Sequence, residues 1–91
     1  MLNRDNFNIF NYIKKEEYIG SMDGMRYMLR KAGDEMEVVI WPEPYSYAHT
    51  SEDLKIKKMF PFSNDGVLEA CDYLNEQYIS QKELWELSKK Y

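Results

Sequence analysis

Two alternating segments on either side of a tight turn constrain the fold more than any other feature of the chain. Met25–Lys31 and Glu35–Trp41 alternate in character, and Ala32-Gly33-Asp34 lies between them. A period of two is typical of a strand with one buried face, and a glycine beside an acid is typical of a tight hairpin turn. The segments therefore predict an antiparallel β-hairpin with a two-residue loop at Gly33-Asp34.

The register of this hairpin follows from its loop, which pairs Ala32 with Glu35. One side of the sheet then carries apolar pairs and becomes the expected core side: Leu29 with Val38 and Tyr27 with Ile40. The other side carries an ion pair, an apolar pair and a cation–π pair: Arg30 with Glu37, Met28 with Val39, and Arg26 with Trp41. A slip of one residue would set apolar side chains against charged ones at most positions, so pattern and turn specify the same register.

The remaining segments are assigned by periodicity and by breaker residues. Lys55–Phe62 predicts a third strand, at an edge because Lys58 interrupts its apolar face. Asn64 to Tyr78 predicts a long helix that is capped by Ser63 and carries an apolar stripe through Val67, Cys71, Leu74 and Tyr78. Shorter helical segments are expected at Asp5–Lys15 and Gln81–Tyr91, and a turn at Ile19–Gly24.

These elements predict the α+β class. We expect one small domain over residues 1–91, in which a three-stranded antiparallel sheet packs on one long helix and the two terminal helical segments are accessories. An edge at Lys55–Phe62 or at Met25–Lys31 is available for pairing between chains, so both a monomer and a homodimer remain open.

Composition narrows the function. The formal net charge is −4, which argues against a generally basic nucleic-acid binder. The beginning of the sequence has no apolar run of signal-peptide length, which favours a cytoplasmic protein with no membrane partner. Cys71 and His49 are the single residues of their kinds, so no metal site, catalytic set or cofactor is expected.

The predicted long helix has an acidic face made of Asp65, Glu69, Asp72 and Glu76. Their spacing of four, three and four residues puts them opposite the apolar stripe, and no base follows them at helical spacing within the helix. Such a face is either an ordinary solvated surface, which is the commoner case, or a docking surface for a basic partner or a mimic of a phosphate backbone.

Two further sets of residues are candidates for binding. The outward sheet face collects basic and aromatic side chains that suit a nucleic acid, or merely a solvated face with charge pairs: Arg26, Arg30, Trp41, Lys55 and Lys57. A proline-stiffened loop carries rings that suit an interface or, equally, a cover for the sheet end: Trp41, Tyr45, Tyr47 and His49.

From Gly24 onward the chain resembles short proteins of Firmicutes and of their phages or mobile elements. The shared strings are Gly24–Tyr27, Val38–Tyr45, Phe60–Ser63 and Tyr73–Tyr78. Some of those proteins carry a GNAT-type acetyltransferase label, although this chain has no glycine-rich loop to hold the pyrophosphate of acetyl-CoA. The resemblance implies a mobile-element setting and assigns no role to any residue.

Three functions are therefore open. The first is a non-enzymatic protein-interaction module, of the kind that inhibits a host defence or nucleic-acid enzyme, such as an anti-CRISPR. The alternative is a nucleic-acid-binding sheet domain. The third is an acetyltransferase-like fragment.

Overall fold

The predicted hairpin forms the centre of a four-stranded antiparallel sheet in a computed structural model that describes residues 2–43 and 47–88. The strands lie in the sheet in chain order: β1 (Tyr18–Met22), β2 (Met25–Ala32), β3 (Glu35–Pro42) and β4 (Ile56–Pro61). The predicted register of β2 against β3 is confirmed at every pair, from Ala32 opposite Glu35 to Arg26 opposite Trp41. The predicted edge strand is also confirmed, as β4, although it spans 56–61 rather than 55–62.

The long helix α2 (Asn64–Ser80) begins where the sequence predicts. The Ser63 Oγ accepts a hydrogen bond from the Gly66 N–H at 3.0 Å, which satisfies one of the donors at the helix start. The apolar stripe of α2 is buried in the core through Val67, Cys71 and Leu74. The helix α3 (Lys82–Ser88) follows, and its buried Trp85 donates from Nε1 to the Gln77 carbonyl at 3.2 Å. Residues 89–91 of the predicted terminal helix lie outside the described residues.

Both faces of the sheet bury apolar side chains. The larger cluster joins β2, β3 and α2, with Phe7 and Ile13 from the N-terminal segment and Trp85 from α3. A smaller cluster on the opposite face holds Met28, Val39 and Trp41, with Tyr47 packed against it. β2 and β3 are therefore the central layer of the molecule, which is why their apolar residues are nearly continuous.

The prediction of three strands is wrong, because the segment Ile19–Gly24 is mostly strand rather than turn. Asp23 and Gly24 alone form the loop, and both have a positive φ, 45° and 100°. Gly20 lies in β1 opposite Tyr27, where a Cβ would come within 2.6 Å of the Tyr27 Oη. Gly20 is therefore a close-approach glycine within a strand. Because β1 covers Met25–Leu29, β2 is not the edge that the sequence predicted.

The predicted helix over Asp5–Lys15 is also wrong in extent. The chain forms a 3-10 turn at Arg4–Asn6 and a four-residue helix, α1 (Phe10–Ile13). Asn3 caps the 3-10 turn by accepting from the Asp5 N–H at 2.9 Å. Three asparagines weaken a continuous helix here, and burial of Phe7 and Ile13 fixes the two short pieces instead.

The close contact between α2 and the end of β4 gives the first prediction. A Cβ on Gly66 would lie 1.8 Å from the Pro61 carbonyl oxygen, which is backbone and cannot swing away. We expect Gly66→Ala to lower the free energy of unfolding by about 2 kcal/mol or more, measured by urea denaturation. Glu69→Ala, on the exposed face of the same helix, is the control and should change it by about 0.5 kcal/mol at most. A Gly66→Ala protein as stable as the control would contradict the contact.

Burial of Tyr27 gives a pH prediction. Burial, and secondarily the neighbouring Tyr18, raises the pKa of the Tyr27 phenol from 10.0 to about 12. Below pH 10 the folded and unfolded states both hold the proton, whereas above it the unfolded state loses the proton first. The free energy of unfolding should therefore fall by about 2–3 kcal/mol as pH rises from 10 to 12, and Tyr27→Phe should lack this part of the fall. Urea denaturation across that range measures both slopes, and equal slopes would contradict the assignment.

Candidate functional site

The acidic face of α2 points directly away from the core. Asp65, Glu69, Asp72 and Glu76 are all exposed, whereas Val67 and Leu74 on the other side are buried. From Asp65 to Glu76 the carboxylates extend about 16 Å along the helix axis. The structure thus brings together the whole predicted set on one continuous, solvated strip.

One member of the acidic face has a basic partner from outside the helix. The Arg4 Nε lies 3.1 Å from the Asp72 Oδ1. The N-terminal segment is held there because the Leu2 N–H donates to the Asn75 side chain and the Leu2 carbonyl accepts from it, both at 2.8 Å. The helix itself carries no base, but Arg4 from the N-terminal segment pairs with Asp72. Among the described residues, no lysine or arginine forms an ion pair with Asp65, Glu69 or Glu76.

An exposed apolar side chain continues the acidic face toward the end of α2. Ile79 is 59% exposed and lies three residues beyond Glu76, so it projects from the same side of the helix. Sequence reasoning missed Ile79, because the predicted apolar stripe lies on the opposite side of the helix. The strip therefore ends in a residue suited to anchor a contact.

The outer sheet face carries charge pairs, one of the two alternatives that the sequence analysis left open. The predicted residues do gather there, but Trp41 is only 1% exposed. The Tyr47 ring packs edge-on against its indole, with centroids 5.6 Å apart. A base cannot stack on an indole that the protein itself covers.

The bases of this face are paired with carboxylates of the same chain. The Arg30 guanidinium lies 2.7 Å from Glu37 and 3.5 Å from Glu17, and the hydrogen bond to Glu37 raises the pKa of Arg30. The Arg26 Nε lies 3.9 Å from Glu43 and has no hydrogen-bond partner there. Arg30 is therefore compensated by two carboxylates, whereas Arg26 has one carboxylate at ion-pair distance and no hydrogen bond to it.

Glu52 forms ion pairs with the two lysines that follow it, Lys55 and Lys57. Its carboxylate lies 3.1 Å from the Lys55 Nζ and 2.9 Å from the Lys57 Nζ. Hydrogen bonds from Lys57 and Lys55 lower the pKa of Glu52, and the same contact raises the pKa of Lys57. The Lys55 side chain is only 4% exposed, with its ammonium 3.8 Å from the centre of the Tyr47 ring. Residues 47–55 thus lie against the sheet as a cover, which is one of the two roles that the sequence analysis left open for the rings of this region.

The predicted aromatic residues of the proline-stiffened loop have different surroundings in the structure. Trp41 and Tyr47 serve the small outer cluster, and His49 is exposed at the end of the 3-10 turn Tyr47–His49. Tyr45 lies outside the described residues. Cys71 is buried in the core, and burial raises the pKa of its thiol. The described residues contain no group of three or more His, Cys, Asp or Glu placed to hold a metal ion.

A groove with basic side chains lies beside the start of β1, and sequence reasoning missed it. It has a volume of about 530 Å³ and is lined by Ile13, Lys14, Lys15, Glu16, Glu17, Arg30 and Lys31. The groove forms because β1 pairs with β2 only as far as Tyr18 opposite Leu29, and the chain before Tyr18 diverges. In the sequence, the groove is indicated only by the two lysines and two glutamates at 14–17.

Comparison with known proteins adds no family to this description, since no family model, curated protein or solved structure matches the chain. Within the described ranges, no helix combines the length and the apolar character needed to cross a membrane.

The cover over Trp41 gives a testable consequence. We expect Tyr47→Ala to lower the free energy of unfolding by about 1–3 kcal/mol, because it exposes the small outer cluster. Quenching of tryptophan fluorescence by acrylamide should rise, since Trp41 and Trp85 are both buried in the wild type. Tyr47→Phe keeps the ring and should leave the quenching unchanged. Equal quenching in the wild type and Tyr47→Ala would contradict the packing of Tyr47 on Trp41.

Proposed function

We propose that this protein is a non-enzymatic interaction module that docks a basic protein surface through the acidic face of α2. The observation that carries the proposal is the contrast between two surfaces. The bases of the outer sheet face are paired within the chain, whereas Asp65, Glu69 and Glu76 have no ion pair among the described residues. A strip of one charge, on which three of the four carboxylates have no ion pair among the described residues, attracts a partner of the opposite charge and orients it.

The density of charge indicates the kind of partner. The acidic face carries one carboxylate per about 5 Å of helix axis, against one charge per about 1.7 Å in duplex DNA. Arg4 reduces the density further at Asp72. The strip is thus a poor surrogate for a duplex, and it suits a complementary row of lysines or arginines on a folded protein.

Ile79 adds an apolar contact to the proposed interface. Charged contacts at the rim of an interface give orientation and rate of association, whereas buried apolar anchors give most of the affinity. An exposed isoleucine at the end of the acidic strip supplies such an anchor. The proposed partner therefore presents basic side chains next to an apolar depression.

Basic surfaces of this kind occur on enzymes that handle nucleic acids. A protein that covers one competes with the nucleic acid for it, which is the action of an inhibitor. An inhibitor of a host defence enzyme, of the anti-CRISPR kind, would act in this way.

The test uses two double variants with the same charge. Glu69→Lys with Glu76→Lys, on the acidic face, and Glu35→Lys with Glu83→Lys, away from it, both bring the formal net charge from −4 to zero. All four residues are exposed, so each variant should keep the wild-type stability within about 1 kcal/mol. Each variant, immobilised, is used to capture proteins from a bacterial lysate treated with nuclease, with quantification by mass spectrometry.

We expect the control double variant to retain a partner protein that the wild type captures, and the acidic-face variant to lose it by about tenfold or more, equivalent to about 1.4 kcal/mol. Equal capture by the two variants would contradict the proposal. Nucleic acid on the beads before nuclease, with proteins lost after it, would favour the sheet-binding alternative. Heat of binding in an acetyl-CoA titration would favour the third function instead.

A further inference from the structure

The groove beside the start of β1 is lined by more bases than acids. Four basic and two acidic side chains surround its volume of about 530 Å³: Lys14, Lys15, Arg30 and Lys31, with Glu16 and Glu17. The whole chain has a formal net charge of −4, so this surplus of positive charge is opposite to the balance of the molecule. The groove is therefore a local region of positive potential on an acidic protein.

The two acids of the groove already have partners within the chain. The Tyr12 hydroxyl donates a hydrogen bond to the Glu16 carboxylate, which raises the pKa of Tyr12. The Glu17 carboxylate lies 3.5 Å from the Arg30 guanidinium. Among the described residues, no carboxylate forms an ion pair with any of the three lysines of the groove. These lysines therefore carry the positive charge that the chain itself leaves uncompensated.

Aromatic rings support two of the three lysines. The Lys14 ammonium lies 4.6 Å from the centre of the Phe10 ring, and the Lys31 ammonium lies 5.3 Å from the centre of the Phe62 ring. The two rings pack against each other with their centres 5.0 Å apart. Attraction to a ring restricts an ammonium group without neutralising its charge. The rings thus hold both cations near one another, which lowers the entropy cost of binding an anion there.

A backbone donor faces the same groove. The Glu43 N–H donates to the Gly24 carbonyl at 3.0 Å, so the alternation of an antiparallel ladder directs the N–H groups of Leu29 and Lys31 toward β1. β1 begins at Tyr18, opposite Leu29, and the chain before it diverges. The Lys31 N–H therefore has no strand partner on that side and faces the groove. A backbone N–H forms a stronger hydrogen bond when its acceptor is an anion.

We propose that this groove binds a short chain of phosphate groups, as it occurs in an inorganic oligophosphate or in a nucleoside triphosphate. Lysine ammonium groups bind phosphate as point charges, and a chain of phosphates supplies several anionic groups to the three lysines. A volume of about 530 Å³ lies within the range of about 300–1,000 Å³ that is typical of small-molecule sites. The proposed site is independent of the acidic face of α2.

The groove suits phosphates better than it suits a nucleic-acid strand. Single strands bind by stacking their bases on exposed aromatic rings. The described residues that line the groove contain no aromatic side chain. Phe10 and Phe62, which support its lysines, pack against the core and against each other. The groove therefore recognises the charge of a ligand and offers no platform for a base.

Titration of the full chain with sodium tripolyphosphate tests the site. In two-dimensional NMR spectra of isotope-labelled protein at constant ionic strength, the amide signals of Lys14, Lys15 and Lys31 should shift and reach saturation. Adenosine triphosphate is the second probe, and it distinguishes the two sources of the phosphate chain. Tighter binding of the nucleotide by about tenfold or more identifies a nucleotide ligand, whereas equal or weaker binding identifies the phosphate chain alone.

Two double variants with the same charge test the residues. Lys14→Gln with Lys31→Gln acts in the groove, and Lys58→Gln with Lys82→Gln is the control, since both change the formal net charge from −4 to −6. Lys58 matches Lys31 because its exposed ammonium also lies over a ring, 4.9 Å from the centre of Tyr73. The groove variant should bind tripolyphosphate about tenfold more weakly or worse, and the control within about twofold of the wild type.

Three results would overturn the proposal. The first is a wild type whose amide signals do not shift and saturate with tripolyphosphate, a result that does not depend on how well any variant folds. The second is equal weakening by the two double variants, which would show attraction by net charge alone. The third is a tetraglutamate peptide that binds as tightly as tripolyphosphate, because the groove would then select acids in general and not phosphates.

Discussion

The pairing of β2 with β3 is the constraint on which the rest of the structure depends. Leu29 and Val38 lie opposite each other on one face, and Met28 and Val39 on the other, and all four are buried. A shift by one residue would exchange the two faces and carry Arg30 and Glu37 into the core. This register determines which sheet face α2 packs on, which face Tyr47 covers, and which residues of β2 pair with β1.

This central pair was predictable because two independent signals in the sequence agree about it. The alternation of β2 and β3 and the Gly33-Asp34 loop specify the same pairing, and the Ser63 cap defines the start of α2 in the same local way. Local signals failed where a distant contact decides the outcome. A glycine such as Gly20 is typical of a turn, but here it lies in a strand, where the Tyr27 ring packs closely against it. Arg4 reaches Asp72 because Leu2 is held by Asn75.

In the candidate site, too, the features set by local spacing were predictable and those set by distant contacts were not. The acidic face was predictable, because helical spacing alone puts four carboxylates on one side of α2. The burial of Trp41 was not, because it depends on a tertiary contact that sets the Tyr47 ring on the indole. Glu52, Lys55 and Lys57 looked like separate surface charges in the sequence, and they form one ion-pair network in the structure.

The molecule thus uses its charges in two ways. On the outer sheet face, acids and bases lie close enough to compensate one another, and aromatic rings take up part of the remaining charge, as Tyr47 does for Lys55. On α2 the acids point to solvent, and only Asp72 has a basic partner among the described residues. A binding partner gains most from the surface whose charge is not already compensated.

Carboxyl footprinting with a water-soluble carbodiimide tests this contrast most directly. In the free protein, we predict fast labelling of Asp65, Glu69 and Glu76 and slow labelling of Glu37, which is held by Arg30. When the captured partner is bound, labelling of the α2 carboxylates should fall while that of Glu35 and Glu83 stays constant. Unchanged labelling of Glu69 and Glu76 in the complex would contradict the claim that the acidic face of α2 is the binding surface.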